Sequence, residues 1–188
     1  MKILSADLSS PMQIDIYRLA ILMTEYRQRH DYSQGVTVII DCRDVNIFNL
    51  VTKINVMDLR NNMLILIAGY STRINGIHIL SSSTTINTFI ALLRQVVSVK
   101  IANRIQVHKT LDTLHQFIPK EYLPEDIGGD EMPMKKVYEH MVNVFSEKEN
   151  VKFFKEIAEA GTNEEHRLAE NCNDVLGMPG SFRTLSVD

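Results

Sequence analysis

The sequence predicts an α/β fold built on a largely parallel sheet, and three observations carry that reading. Val36-Thr37-Val38-Ile39-Ile40-Asp41, Ile74-Asn75-Gly76-Ile77-His78-Ile79-Leu80 and Ile105-Gln106-Val107-His108 are short runs rich in β-branched residues. Stretches of helical spacing separate them, as where crossover helices join parallel strands. The first run is apolar on both faces, with Val36, Val38 and Ile40 pointing one way and Thr37 and Ile39 the other. That pattern suits a central strand covered on both sides.

The elements follow in order. Residues 1–5 are a short apolar start, read as a strand. Asp7-Leu8-Ser9-Ser10-Pro11 reads as a turn and helix start, with the proline inside the first turn. Residues 14–29 are helical. Tyr17, Ala20 and Thr24 stand at i, i+3 and i+7, so they share a face. Ser33-Gln34-Gly35 closes a loop before the first central strand. Residues 46–57 and 58–68 read as two helices, broken by Gly69-Tyr70-Ser71.

The strand 74–80 leads through Ser81-Ser82-Ser83-Thr84-Thr85 into a helix with Ile86, Phe89, Ile90, Ala91, Leu92, Leu93, Val96 and Val97. These read as apolar nearly all round, which marks either a buried helix or one with greasy partners on two sides. Arg94, Lys100 and Arg104 lie at its end and beyond. Lys100 and Arg104 would share a face if the helix reaches that far. A short helix over 111–117 ends before Pro119, and Leu123-Pro124 and Gly128-Gly129 punctuate a loop. Residues 134–146 and 151–160 are amphipathic helices. Residues 163–188 read as a polar tail that wraps the domain through Leu176, Phe182 and Leu185.

The 188 residues suffice for one domain with a real core. The net charge of −3 argues against a general nucleic-acid binder, but it is unevenly spread. Residues 1–119 hold 12 Lys+Arg against 8 Asp+Glu, and residues 120–188 hold 8 against 15. Any basic face therefore belongs to the first two thirds. Cys42 and Cys172 suggest neither a disulfide framework nor a metal site. The N-terminus lacks a signal-peptide run, and no stretch reaches the roughly 20 apolar residues of a membrane span, so the expected location is the cytosol.

Catalytic signatures are missing from the chain: no G-x-G-x-x-G after a strand, no P-loop and no G-x-S-x-G. Asp41 and Asp44 lie at the end of a central strand, where α/β sheets place ligands, but an aspartate there more often caps the next element. Cys42 beside Arg43 raises an activated thiol as an alternative. His78 and His108 fall in strands and read as packed, hydrogen-bonded residues. The expectation is a protein that is not an enzyme. An ester-hydrolysing α/β enzyme using Asp41 is the remote alternative.

Four segments in order resemble the CRAL-TRIO lipid-binding domain family, and most of all its tocopherol-transfer and retinaldehyde-binding branch. They are 35–41, Tyr70-Ser71-Thr72-Arg73 with the strand 74–80, Lys100-Ile101-Ala102-Asn103-Arg104 with 105–108, and Ile118-Pro119-Lys120-Glu121-Tyr122-Leu123-Pro124-Glu125-Asp126-Ile127-Gly128-Gly129. The L-P-x-x-x-G-G ending is the most specific, and the closing residues 180–188 also resemble tails in the family. The resemblance implies a mostly parallel sheet floor flanked by helices, with a mobile gate helix over an apolar cavity. It assigns the domain to 1–130, with 131–188 as C-terminal helices and tail of the same domain. The helical region that usually precedes such a domain is absent from the sequence.

By position, the resemblance implies a lipid pocket lined by Tyr17, Ala20, Thr24, Val36, Val38, Ile40, Ile65, Leu66, Ile74 and Ile77, closed by Ile86, Phe89, Leu92 and Val96. It implies phosphoinositide contacts at Arg73, Lys100 and Arg104. The expected ligand is one small hydrophobic lipid of tocopherol, retinoid or carotenoid type, carried between membranes during transient peripheral docking, with no other cofactor. A phosphoinositide-responsive adaptor with a vestigial cavity is the alternative. The sequence departs from the family pattern at Tyr70-Ser71, where Tyr/Phe-Pro is usual, at Ser81-Ser82-Ser83, where Asn-x-Pro is usual, at Arg94-Gln95-Val96-Val97, where Lys-Pro-Phe-Leu is usual, and at Asn75, where a basic residue is usual.

Overall fold

A computed structural model describes residues 10–31 and 35–161. The expected strand over 1–5, most of the loop at 33–35 and the tail from 163 lie outside the described residues. The chain divides into two compact units, residues 1–140 and 141–188.

The first unit is organised on three parallel strands in the order β1 (Val36–Asp41), β2 (Ile74–Leu80) and β3 (Ile105–His108). The connections are helical. α1 (Ser10–His30) precedes β1. α2 (Ile47–Lys53), α3 (Val56–Leu64) and a π-turn at Ile65–Gly69 lead to β2. α4 (Ile86–Val96) and the short α5 (Val99–Ala102) lead to β3, and α6 (Leu111–His115) follows with two 3-10 turns at Lys120–Tyr122 and Glu125–Ile127. The α/β class and its parallel sheet are as the sequence predicts.

Register decides which residues meet. Val36 pairs with Ile74, but Thr37 pairs with Gly76, so Asn75 is an extra residue that bulges out. Ile74 and Ile77 would face opposite ways in a regular strand, where side chains alternate. The bulge brings both to one face. Three rows result there: Val36–Ile74, Val38–Ile77–Ile105 and Ile40–Ile79–Val107. The opposite face carries Ile39, Asp41, Gly76, His78, Leu80, Gln106 and His108.

Each face has its own core. On the first, Ile79 joins Cys42, Val45, Ile47, Leu50, Ile86, Phe89, Ile90 and Leu93, drawing α2 and α4 onto the sheet. On the second, Leu80 packs with Leu114, Leu123 and Ile127. The L-P-x-x-x-G-G segment makes this second layer possible. A Cβ on Gly129 would stand 1.8 Å from the Leu123 carbonyl oxygen, and Gly128 has φ of 73°, so both positions require glycine.

Three boundaries differ from the sequence reading. The break between the two helices after β1 falls at Ile54-Asn55, not at 57/58. Asn55 accepts from the Met57 and Asp58 amides and so caps α3, and Asn46 caps α2 by accepting from Asn49. α4 is not apolar all round: Asn87, Thr88, Ala91, Arg94 and Gln95 form an exposed face. α5 ends at Ala102, so Lys100 and Arg104 do not share a helix face.

α7 (Met134–Phe145) carries the chain across the boundary between units. In the second unit α8 (Lys148–Glu159) begins three residues earlier than its spacing predicts. Asn150 is buried there and donates to the Val144 carbonyl at 2.8 Å. Phe145 meets Phe154 edge-on.

Candidate functional site

Parallel strands are ordinarily covered on both faces. Here the faces differ. Gly76, His78, Leu80 and His108 are buried on one face. On the other, Val36, Val38, Ile40, Ile74, Ile77, Ile105 and Val107 are only half-buried, although Ile79 is fully buried. α4 and α2 cover the end of the sheet near Ile40 and Ile79. Toward the start of the strands, Val36, Val38 and Ile74 lie outside both core clusters. The half-covered apolar floor is thus formed by the bulge-aligned rows, and it includes every strand residue expected to line a pocket.

The other expected lining residues divide into two groups. Ile86, Phe89, Leu92 and Val96 are all buried on α4, with Ile86 and Phe89 inside the core. Tyr17, Ala20 and Thr24 on α1, and Leu66 in the π-turn, are half-buried, and Ile65 is exposed. The Thr24 Oγ1 donates to the Ala20 carbonyl at 2.8 Å, so toward a ligand its hydroxyl has only acceptor capacity left. Tyr17 faces α3: burial and, secondly, the charge of Asp58 raise its phenol above the ordinary value. α1 is pinned to the α2–α3 junction by Gln13, which donates to the Lys53 carbonyl and accepts from the Asn55 amide.

The basic residues lie near the start of the strands. Arg73 is exposed and lines a polar concavity of about 280 Å³ with Arg27, Gln28, Asp31, Gly35, Tyr70, Ser71 and Thr72. Arg27 reaches Thr72 Oγ1, and Gln28 donates to the Tyr70 carbonyl. Ser71 takes φ of 50°, the left-handed region, at the lip of this cleft. Arg104 is half-buried, its guanidinium donating to the Ile74 carbonyl. Lys100 is exposed on α5 beside Val99, which is 78% exposed. Arg27 was not anticipated from the sequence, where it reads as one of several charges ending a helix.

The alternative chemistry at the end of β1 is answered by geometry. Both oxygens of Asp41 are engaged by Arg43, at 2.9 Å from Nε and 2.7 Å from a terminal nitrogen. The same guanidinium donates to the Asp126 carbonyl, tying β1 to the glycine-rich segment. Cys42 is 1% exposed, and burial, with Asp41 adding to it, pushes its thiol up to about 11. That is the opposite of an activated thiol. Among the described residues, no group of three or more His, Cys, Asp or Glu side chains is placed to hold a metal ion.

A sheet of three parallel strands with one face half-covered, a bulge at its entry and a glycine-locked second layer is a specific arrangement. The sequence model of the CRAL/TRIO domain matches residues 4–129. The chain belongs to the CRAL/TRIO domain family. The mouse (Mus musculus) protein named alpha-tocopherol transfer protein-like is 28% identical to it over 112 residues, 59% of this chain and 29% of that protein. In this CRAL/TRIO domain the matched region contains all three strands, α4 and the L-P-x-x-x-G-G lock, and ends within the last of these, at Gly129. No helix among the described residues is long and apolar enough to cross a membrane.

Proposed function

We propose that this CRAL/TRIO domain binds one small hydrophobic lipid of tocopherol, retinoid or carotenoid type and passes it between membranes. The observation that carries the reading is the half-buried apolar floor at the start of the strands, where Val36, Val38 and Ile74 lie outside both core clusters and continue the rows of Ile40, Ile77, Ile105 and Val107, which pack on the first core. An apolar surface of this kind in a parallel sheet needs a partner. The relative that carries a tocopherol transfer name supports a lipid as that partner. α4 lies beside the floor and is the gate in this reading, with Ile86, Phe89, Leu92 and Val96 turning from protein to ligand or bilayer. Arg73, Lys100 and Arg104 assist release by engaging phosphoinositide headgroups, each basic side chain near an anionic bilayer contributing about 1 kcal/mol. That is enough for transient peripheral docking, not for anchoring.

Mass spectrometry of an organic extract of the cell-derived protein tests the reading. The expected result is a stoichiometric prenyl- or polyene-type lipid. Repeated failure to recover or load any such molecule overturns it.

One observation favours a second reading. Among the described residues, the polar concavity beside Arg73 and a groove of about 480 Å³ along α8 are open and touch none of the expected pocket residues. A phosphoinositide-responsive adaptor would need no lipid cavity. It requires liposome binding that depends on acidic lipid and is lost in Lys100→Ala/Arg104→Ala, without lipid exchange.

A further inference from the structure

On the face of the sheet away from α4, two imidazoles are buried against one another. His78 is 7% exposed and His108 is 2% exposed. His78 Nδ1 lies 2.9 Å from His108 Nε2, and the rings stack with centroids 5.1 Å apart. Phe117 closes the pair from outside, 5.8 Å from His78 and 5.4 Å from His108. Neither the lipid reading nor the basic residues use this pair.

The geometry assigns the proton positions. His108 is hydrogen-bonded to the Thr113 backbone, and that bond falls to Nδ1 because Nε2 is engaged by His78. His108 Nε2 is then the acceptor and His78 Nδ1–H the donor. His78 Nε2 is left bare, folded over Gly76, where a Cβ would approach it to 2.9 Å. On the same face, Gln106 is the register partner of His78, and its Oε1 is buried with no hydrogen-bond partner among the described residues. One proton can be added at His78 Nε2, the ring nitrogen outside the bond between the rings, on the sheet face that also carries the Gln106 acceptor. A second would have to take His108 Nε2 and break the bond between the rings.

We propose that His78, His108 and Gln106 form an acid-sensitive latch that holds the layer of residues 111–127 on the sheet. The surrounding groups leave the rings to govern their own charge. From β1, Asp41 is saturated by Arg43. From α6, which packs on β2 and β3, Asp112 is exposed, and His115 is turned to the Ile127 carbonyl. Lys109 and, beyond Phe117, Lys120 and Glu121 point to solvent. Burial, and for His78 the charge of His108, lowers both rings below the ordinary histidine value.

The sign follows. Released from the sheet, each ring titrates near 6.5, whereas the closed pair holds at most one proton. The closed layer is therefore fully favoured above about pH 6.5. Below it, closure weakens by up to about tenfold per pH unit for each proton the closed form does not hold. An anionic bilayer at about −30 mV concentrates protons roughly threefold at its surface and pushes the latch the same way. This last link rests on the membrane docking proposed above; the latch itself does not.

The test is made on the full chain in solution, without vesicles. Nitrogen-detected imidazole NMR between pH 7.5 and 5 is expected to show the assigned tautomers. His78 and His108 should titrate together, below the ordinary histidine value of about 6.5. Hydrogen exchange of residues 111–127, corrected for intrinsic rate, is expected to rise about fivefold for each proton the closed form does not hold between pH 6.5 and 5.5, while α4 is unchanged. Gln106→Leu removes the open acceptor and should move the ring titration to lower pH. Rings that titrate at or above the ordinary histidine value of about 6.5, or a layer whose corrected exchange ignores pH, overturn the proposal. Both measurements are made on the wild-type chain, so a Gln106→Leu protein that fails to fold leaves the decision intact.

Discussion

Phe89→Ala probes how α4 is held. Phe89 is 4% exposed and packs among Ile79, Leu50, Ile90 and Leu93. Phe→Ala in such a core costs about 3–5 kcal/mol, the transfer of the ring plus the cavity it leaves. For a domain of this size that lowers Tm by roughly 6–20 °C, at about 2–4 °C per kcal/mol. In urea the midpoint should fall with the slope unchanged. Ala91→Ser, on the exposed face, should stay within about 0.5 kcal/mol of wild type. The same numbers bear on the gate. α4 buries Ile86, Phe89, Ile90, Leu92, Leu93 and Val96. Lifting six such side chains into water costs on the order of 9–18 kcal/mol at ~1.5–3 each, as much as the whole stability of a domain. For α4 to act as the proposed gate, lipid would have to replace the protein around it. Because Phe89→Ala removes part of that cost, the variant should exchange lipid faster than wild type at a bilayer. A loss of less than about 1 kcal/mol would refute the reasoning, because it would mean that α4 is not seated on this core.

Three further outcomes are expected. Gly129→Ala places a Cβ against the Leu123 carbonyl, a backbone clash that cannot turn aside, so the second layer should be destabilised by several times the ~1 kcal/mol of an ordinary mutation; calorimetry checks this. Arg43→Ala removes both guanidinium bonds to the buried Asp41 and leaves the amide of residue 43 on Oδ1, so chemical denaturation should show a loss of about 1–3 kcal/mol at neutral pH. Cys42, with its thiol raised to about 11, should resist a thiol reagent at pH 8 in the folded chain and react at once in denaturant; rapid labelling of the native protein would contradict its burial.

The sequence by itself determined the α/β class, the three strands, the helical connections and the glycine lock. Each depends on local chemistry: β-branched runs, cap residues, and positions that only glycine tolerates. It also determined the family, since the matched segments keep their order along the chain. Boundaries failed where a side-chain cap overrides spacing. Asn55 starts α3 earlier than apolar periodicity suggests. α5 ends before Arg104 for another reason: the Asn103 amide closes its last turn through the backbone. The apolar count hides the exposed face of α4 because Ala91 stands among Asn87, Thr88, Arg94 and Gln95, while the other apolar residues share one buried arc.

Only the tertiary structure decided which residues share a surface. Ile74 and Ile77 line one floor because a bulge at Asn75 shifts the register, and no alternation rule predicts a bulge. Asp41 could be a ligand or a cap until Arg43 is seen on both its oxygens. His78 and His108 lie 30 residues apart, and parallel pairing alone brings their nitrogens together. The physical reason is common to all three: local propensity acts over a few residues, whereas register, burial and ring contacts depend on what the rest of the chain places alongside.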